Sequence, residues 1–386
     1  MKKFLTVLLL AAFAAGVWAQ EFKINGEVKT GLIWSKPEDQ INYPKERTTA
    51  GSKDDAGTGS GRFRINMEYS IENFGFKARL NMEGPTGGQW MPLWPYAFGY
   101  GNLLDDQLTF SIGKLGASPW GTGGPEMWKE AEEISSLGGM RVEIKPQAVP
   151  GLNVGFVINS FDDPTDIYPE REPITFLHIL QESVLGAAYT HDLFHVRAAY
   201  RFDSLADQTR EANHGNNGGK IVYRVEEKLI EQFLPSFNIW ALGYWYGVGA
   251  DESNRDFYEV QNWMFIQYAP ELFTAQIRLG YYVVAKRQDF RIKPVFYLHL
   301  LDRLITVGGF FQYVQDFGDG KVVKDSPYYI MEFEPLVQLN MTPNSYIALA
   351  YNFKREYVAE TQDHRAKKLL PLRQDQWVNF RVGMTF

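Results

Sequence analysis

Apolar and polar residues alternate with a period of two along almost the whole chain, and that pattern limits what it can fold into. Phe63, Ile65, Met67, Tyr69 and Ile71 interleave with Arg62, Arg64, Asn66, Glu68 and Ser70. After a tight turn near Asn73, Phe76, Ala78, Leu80 and Met82 interleave with Lys77, Arg79, Asn81 and Glu83. Segments in that phase form a β-hairpin with one apolar and one charged face. The same period recurs over 22–35, 107–115, 137–145, 152–160, 194–203, 273–284, 290–300, 304–315, 328–341, 346–353 and 374–386. Weaker versions cover 96–103, 175–190, 220–226, 237–248 and 257–268.

Beyond residue 20 no apolar run approaches the ~18 residues of a spanning helix. The mean hydropathy of −0.29 excludes a helical membrane bundle. It does not exclude a barrel, whose strands alternate and average out as polar. Connection lengths narrow the choice. Short links fall at 73, 105–106, 146–150, 191–192, 269–271, 301–303 and 342–344. Between them lie longer polar links at 36–60, 84–95, 116–136, 161–174, 204–219, 316–326 and 354–373, with 249–256 and 285–289 in the same series. One rim is trimmed and the other carries the elaboration. The link at 227–235 departs from this rule and has room for one helical turn.

A β-sandwich of this length needs two domains, and no linker divides residues 20–386. A β-helix needs a fixed repeat, and none is present. A sheet in lipid must close on itself, because every backbone donor and acceptor has to pair within the protein. The expectation is an all-β fold: a single transmembrane, antiparallel, up-and-down β-barrel of about 18 strands, with 16 the nearest miscount, short periplasmic turns and long extracellular loops.

The N-terminus carries an export signal. Lys2 and Lys3 precede an apolar stretch over 4–16, and Val17, Trp18 and Ala19 place small residues at the −3 and −1 positions of a cleavage site. Residues 1–19 are read as a cleaved signal peptide and 20–386 as the barrel. There is no cysteine, which rules out disulfides, thiolate metal sites and cysteine nucleophiles. A net charge of −7 argues against nucleic acid as a partner.

The last nine residues alternate Val378, Phe380, Val382, Met384 and Phe386 with Asn379, Arg381, Gly383 and Thr385. This resembles the C-terminal signature of bacterial outer-membrane β-barrels, which implies an outer-membrane location, a lipid-facing closing strand and recognition by the barrel assembly machinery. Aromatics near strand ends, among them Tyr69, Phe74, Tyr100, Tyr200, Trp263, Tyr281, Tyr282 and Tyr351, suit interfacial girdles.

The other face of the strands is charged. Arg62, Arg64, Lys77 and Arg79 fall on neighbouring strands and should form a positive patch, with Arg197, Arg201, Arg278, Arg291 and Lys293 elsewhere on the wall. Such a cluster needs water or an anionic partner. The link 116–136, after the fifth predicted strand, carries Glu126, Glu130, Glu132 and Glu133, together with Trp120, Trp128 and the run Gly123-Gly124-Pro125-Glu126. In this the chain resembles the general bacterial porins. The resemblance implies that this loop folds into the barrel and that its carboxylates face the basic cluster across a constriction. It further implies passive diffusion of small hydrophilic solutes, no catalysis and no cofactor, with a homotrimer and a monomer both open. A count near 18 leans toward specific porins for sugars or carboxylates.

Two other function classes make their own demands on the sequence. A structural protein or adhesin would act through its long loops, and 36–60 suits an exposed segment. An outer-membrane hydrolase would need a nucleophile–base pair, and none of the six histidines sits in such a motif. His191 and His195 are separated by a turn, so helical metal-ligand spacing does not apply. Asp54-Asp55 and Asp162, Asp163 and Asp166 match no EF-hand, and the glycine-rich 214–220 lacks P-loop spacing. Trp90, Trp94, Trp120 and Trp128 at the mouth, or Trp240, Tyr244 and Tyr246 within, would suit sugar stacking. The strand carrying the last three is apolar on both faces, so its lipid side stays open.

Overall fold

In the computed structural model the described residues are 22–39, 47–50, 60–85, 91–116, 118–121, 138–159, 183–202, 219–248, 259–284, 287–316, 329–359 and 369–386. They form one sheet of β1 (Phe22–Asp39), β2 (Arg47–Ala50), β3 (Ser60–Ile71), β4 (Phe74–Pro85), β5 (Met91–Leu103), β6 (Leu108–Lys114), β7 (Gly138–Ile144), β8 (Leu152–Asn159), β9 (Val184–Thr190) and β10 (Phe194–Arg201). The sheet continues through β11 (Gly219–Glu227), β12 (Phe237–Val248), β13 (Glu259–Tyr268), β14 (Phe273–Val284), β15 (Arg287–Leu300), β16 (Ile305–Asp316), β17 (Tyr329–Thr342), β18 (Ser345–Ala359) and β19 (Leu369–Thr385). A single turn of helix, α1 (Leu229–Phe233), fills the expected long link between β11 and β12.

Each strand from β3 to β19 pairs antiparallel with its successor, and β19 returns to β1. Strand β1 meets β3 through Phe22–Lys29 and β19 through Glu27–Asp39, so it is staggered between its neighbours. The short β2 lies beside residues 32–35 of β1, in line with β3 rather than as a further stave. The result is a closed barrel of 18 staves, as the alternation and the link lengths predicted. The stagger is the shear that closure of tilted strands requires.

The phase of each strand follows from the register. Arg62, Arg64, Asn66 and Glu68 on β3 stand opposite Glu83, Asn81, Arg79 and Lys77 on β4, while Phe63, Ile65, Met67 and Tyr69 stand opposite Met82, Leu80, Ala78 and Phe76. The apolar set is the outer face. Ile24, Phe76, Ile112, Leu185, Val337 and Leu349 are all large, apolar and exposed there, as side chains that meet lipid tails must be. On β19 the outer set is Val378, Phe380, Val382 and Met384, opposite Trp34, Leu32, Thr30 and Val28 of β1. Phe386 exchanges two backbone hydrogen bonds with Gly26, 2.8 and 3.0 Å long, so the terminal residue completes the seam.

Two of the short turns are built alike. Leu104-Asp105-Asp106 and Leu301-Asp302-Arg303 each hold three successive non-glycine residues at positive φ. The link from β7 to β8 turns at Gly151, whose φ of +86° favours glycine.

Candidate functional site

Alternation that puts apolar side chains in lipid puts the complementary set inside the barrel. Arg62, Arg64, Lys77 and Arg79 all take the inner face, on the adjacent strands β3 and β4. Their like charges are compensated from the wall itself. Glu27 of β1 lies 2.9 Å from Arg64, 3.7 Å from Arg62 and 3.4 Å from Lys29. Lys77 pairs with Glu68 at 2.8 Å. Arg79 donates to Asn66 at 2.6 Å and lies over the Tyr96 ring, and Arg64 donates to Asn81 at 3.1 Å. The sequence reading missed Glu27. Its phase on β1 matches that of the inner residues, but only the β1–β3 register places it beside Arg64. Glu126, Glu130, Glu132 and Glu133 lie outside the described residues.

Cations recur around the inner face. Arg197 and Arg201 on β10, Lys220 and Arg224 on β11, Arg278 on β14 and Arg291 and Lys293 on β15 share it by register. Among the described acidic side chains on those strands, Glu226 lies 2.6 Å from Arg224 and Asp289 lies 2.8 Å from Arg291. The cations also stack on lumenal rings, with Arg291 3.7 Å from the Tyr282 centroid and Lys293 3.5 Å from that of Phe310. Such contacts hold long side chains against the wall and leave their charge facing the lumen.

Between β17 and β19 an inner-face network is more enclosed. Arg381 donates to Glu334 at 2.8 Å, and the Asn352 amide donates to Glu332 and Glu334 at 2.7 and 2.9 Å. At the turn end of this wall a cavity of about 760 Å³ opens to Tyr297, His299, Gln338, Asn340, Tyr346 and Arg381.

The lumen is lopsided. From β5 to β13 its inner face carries one apolar cluster that includes Phe98, Val157, Val184, Ala199, Val222, Leu242, Tyr244 and Phe265, with Leu115 and Trp120 from the segment after β6. Trp240 stacks on Phe265, centroids 4.9 Å apart and planes 2° apart. The double-apolar strand β12 is thereby explained: Trp240, Leu242 and Tyr244 face this cluster, and Ile239, Ala241 and Trp245 face outward. Tyr100, Trp263 and Tyr282 also point inward, so they are not girdle residues as the strand-end rule suggested. Burying a side chain the size of an indole is worth roughly 4–6 kcal/mol at about 25 cal/mol per Å², so this cluster is a genuine core set among the charged residues of the wall.

Two solved structures share this architecture. The anion-selective porin from Comamonas acidovorans matches with a TM-score of 0.50 at 8% identity, over 95% of this chain and 99% of that one. The Pseudomonas aeruginosa protein OccK11 matches with a TM-score of 0.50 at 6% identity, over 94% and 96%.

The fold is a porin barrel.

The likeness is one of architecture, since identity is that low. No family model matches the chain, and no curated relative does. The charged residues named above stand on the inner face of that barrel. His195 lies on that face beside Glu226, whereas His191 lies in the β9–β10 turn, so the two do not form a joint ligand pair. Among the described residues no group of three or more potential metal ligands converges. The residues at 54–55, 162–166 and 214–218, with Trp90 and Trp128, lie outside the described residues.

Proposed function

We propose that this chain is an outer-membrane porin that passes small hydrophilic solutes by diffusion and favours anions. The observation that carries the reading is the segregation of the strands into an apolar outer face and a charged inner face around a closed ring of 18 staves. An apolar outer face demands lipid, and a charged inner face demands water. The anion preference rests on Arg197, Arg201, Lys220, Arg224, Arg278, Arg291 and Lys293, which share the inner face with fewer described acids. The neighbour from Comamonas acidovorans is named as anion-selective, which accords with that balance.

Within this reading, Glu126 and Glu130, with Glu132 and Glu133, face Arg62, Arg64, Lys77 and Arg79 across a constriction. Opposed signs there set a transverse field that orders water and dipolar solutes. The closing strand, with Phe380 and Phe386, is the handle for the assembly machinery.

The test is single-channel recording of the detergent-folded protein in a planar bilayer under a salt gradient. Stable steps with an anion-directed reversal potential are expected. A folded, heat-modifiable barrel that never conducts would overturn the porin reading and assign the function to the loops. Replacing Glu126 and Glu130 with Gln should strengthen anion preference, and unchanged reversal potentials would sink the constriction.

A further inference from the structure

Trp120 occupies a slot made by two glycines. Gly155 on β8 and Gly186 on β9 are direct partners across their strand pair, both on the inner face. A Cβ built on either one would run into the Trp120 ring system. The two backbones thus form a flat floor on which the indole lies, and Trp120 is fully buried. Its Nε1 donates to Asn153 Oδ1 at 3.3 Å, Asn153 donates to Glu143 at 3.1 Å, and Glu143 pairs with Arg141 at 2.8 Å. Val157 and Val184, the next inner-face residues along the same strands, are buried with it, at 1% and 0% exposure. Behind the ring, Gly121 closes a turn onto the Ser118 carbonyl at 3.2 Å.

The position of the slot is informative. The segment leaves β6 opposite Gly138, at the end of the ladder where Gly139 pairs Asn159. Gly155 stands four residues along β8 from Asn159, ~13 Å toward the turn rim at 3.3 Å per residue. After β6 the chain therefore descends inside the barrel rather than rising out of it.

We propose that Trp120 is a latch: its insertion between Gly155 and Gly186 seats the segment against the β7–β9 wall, seals that stretch of the inner face, and leaves solutes the charged remainder of the lumen. This inference rests on the porin reading for its consequence and on the slot alone for its geometry. Trp120 acts as a positioning residue, because it sets which charged wall a solute meets.

The absence of cysteine makes a direct test available. Val184→Cys reports on the sealed side, and Gln338→Cys reports on the open cavity. Each is exposed, in the folded detergent-solubilised protein, to a cationic methanethiosulfonate reagent, with modification read by mass spectrometry and by current. Gln338→Cys should react at least tenfold faster than Val184→Cys. Adding Trp120→Ala should release Val184→Cys at least tenfold and raise the single-channel conductance. Should Trp120→Ala fail to fold, Gly186→Leu fills the slot from the wall side and must give the same release. Fast reaction of Val184→Cys with Trp120 in place, or continued protection once the latch is removed, would overturn the proposal. A chain that shows the protection and its release but carries no current keeps the latch and loses the channel.

Discussion

Arg381 on β19 donates to Glu334 on β17 across the intervening strand β18, at 2.8 Å, and each side chain is only 8% exposed. The pair is a strut inside the wall, and Asn352 of β18 ties into the same carboxylate at 2.9 Å. Removing one member of an enclosed pair strands the other, at a cost of about 3 kcal/mol. Glu334→Ala should lower the temperature of the heat-modifiability transition in gel-shift assays, and the double replacement Glu334→Gln, Arg381→Met should recover most of that loss. Equal transitions for wild type and Glu334→Ala would show that water, not the pair, satisfies the arginine.

Glu27 is a counter-charge within reach of Lys29, Arg62 and Arg64. Glu27→Gln deletes it without changing shape. Reversal potentials measured near 0.1 M salt should move further toward anions. The shift should fade near 1 M, where the screening length falls from about 10 Å to about 3 Å. A shift that persists at high salt would mean that the variant changes the path's width instead of its field.

At the seam, Gly26 lies under the Phe386 ring and close to the Arg64 carbonyl, where a Cβ has no room. Gly26→Val should reduce the yield of folded, heat-modifiable barrel several-fold in refolding assays, and deletion of Phe386, which removes both closing backbone bonds, should do the same. Normal yields from both variants would show that the seam tolerates a gap at its end.

Lipid contact separates neighbours in sequence. Val337 is 53% exposed on the outer face of β17, and Gln338 faces the lumen. Arg at the midplane of a barrel's lipid face costs about 2–4 kcal/mol, so Val337→Arg should destabilise the folded barrel in urea titrations from lipid vesicles while Gln338→Arg leaves it near wild type. The reverse order would invert the assignment of faces.

Much of this architecture was legible in the chain because a period of two is both the signature of a strand and the rule for placing its faces. Strands β12 and β14 begin and end at the residues expected, 237–248 and 273–284. Period alone does not give register, so Glu27 went unseen as the partner of Arg62 and Arg64. Nor does it mark a lumen that is partly a core. Trp240, Leu242 and Tyr244 left β12 ambiguous because the pattern assumes water inside, whereas they join an apolar cluster there in which Trp240 stacks on Phe265. Gly155 and Gly186 were a readable hint. Two glycines at inner-face phase on neighbouring strands leave a flat patch, and a flat patch invites a ring.

The strand pair β1–β19 also governs timing. Every other join from β3 onward links staves that follow one another in sequence, so each can zip onto the last as a local hairpin. This join alone couples residue 27 to residue 385. Contacts between distant parts of a chain form late, because the loop between them must first be ordered. Until that happens the growing sheet carries two raw edges, the kind that recruit foreign strands. The interval before the ring shuts is therefore when this chain is most exposed to aggregation, and when a chaperone has most to protect.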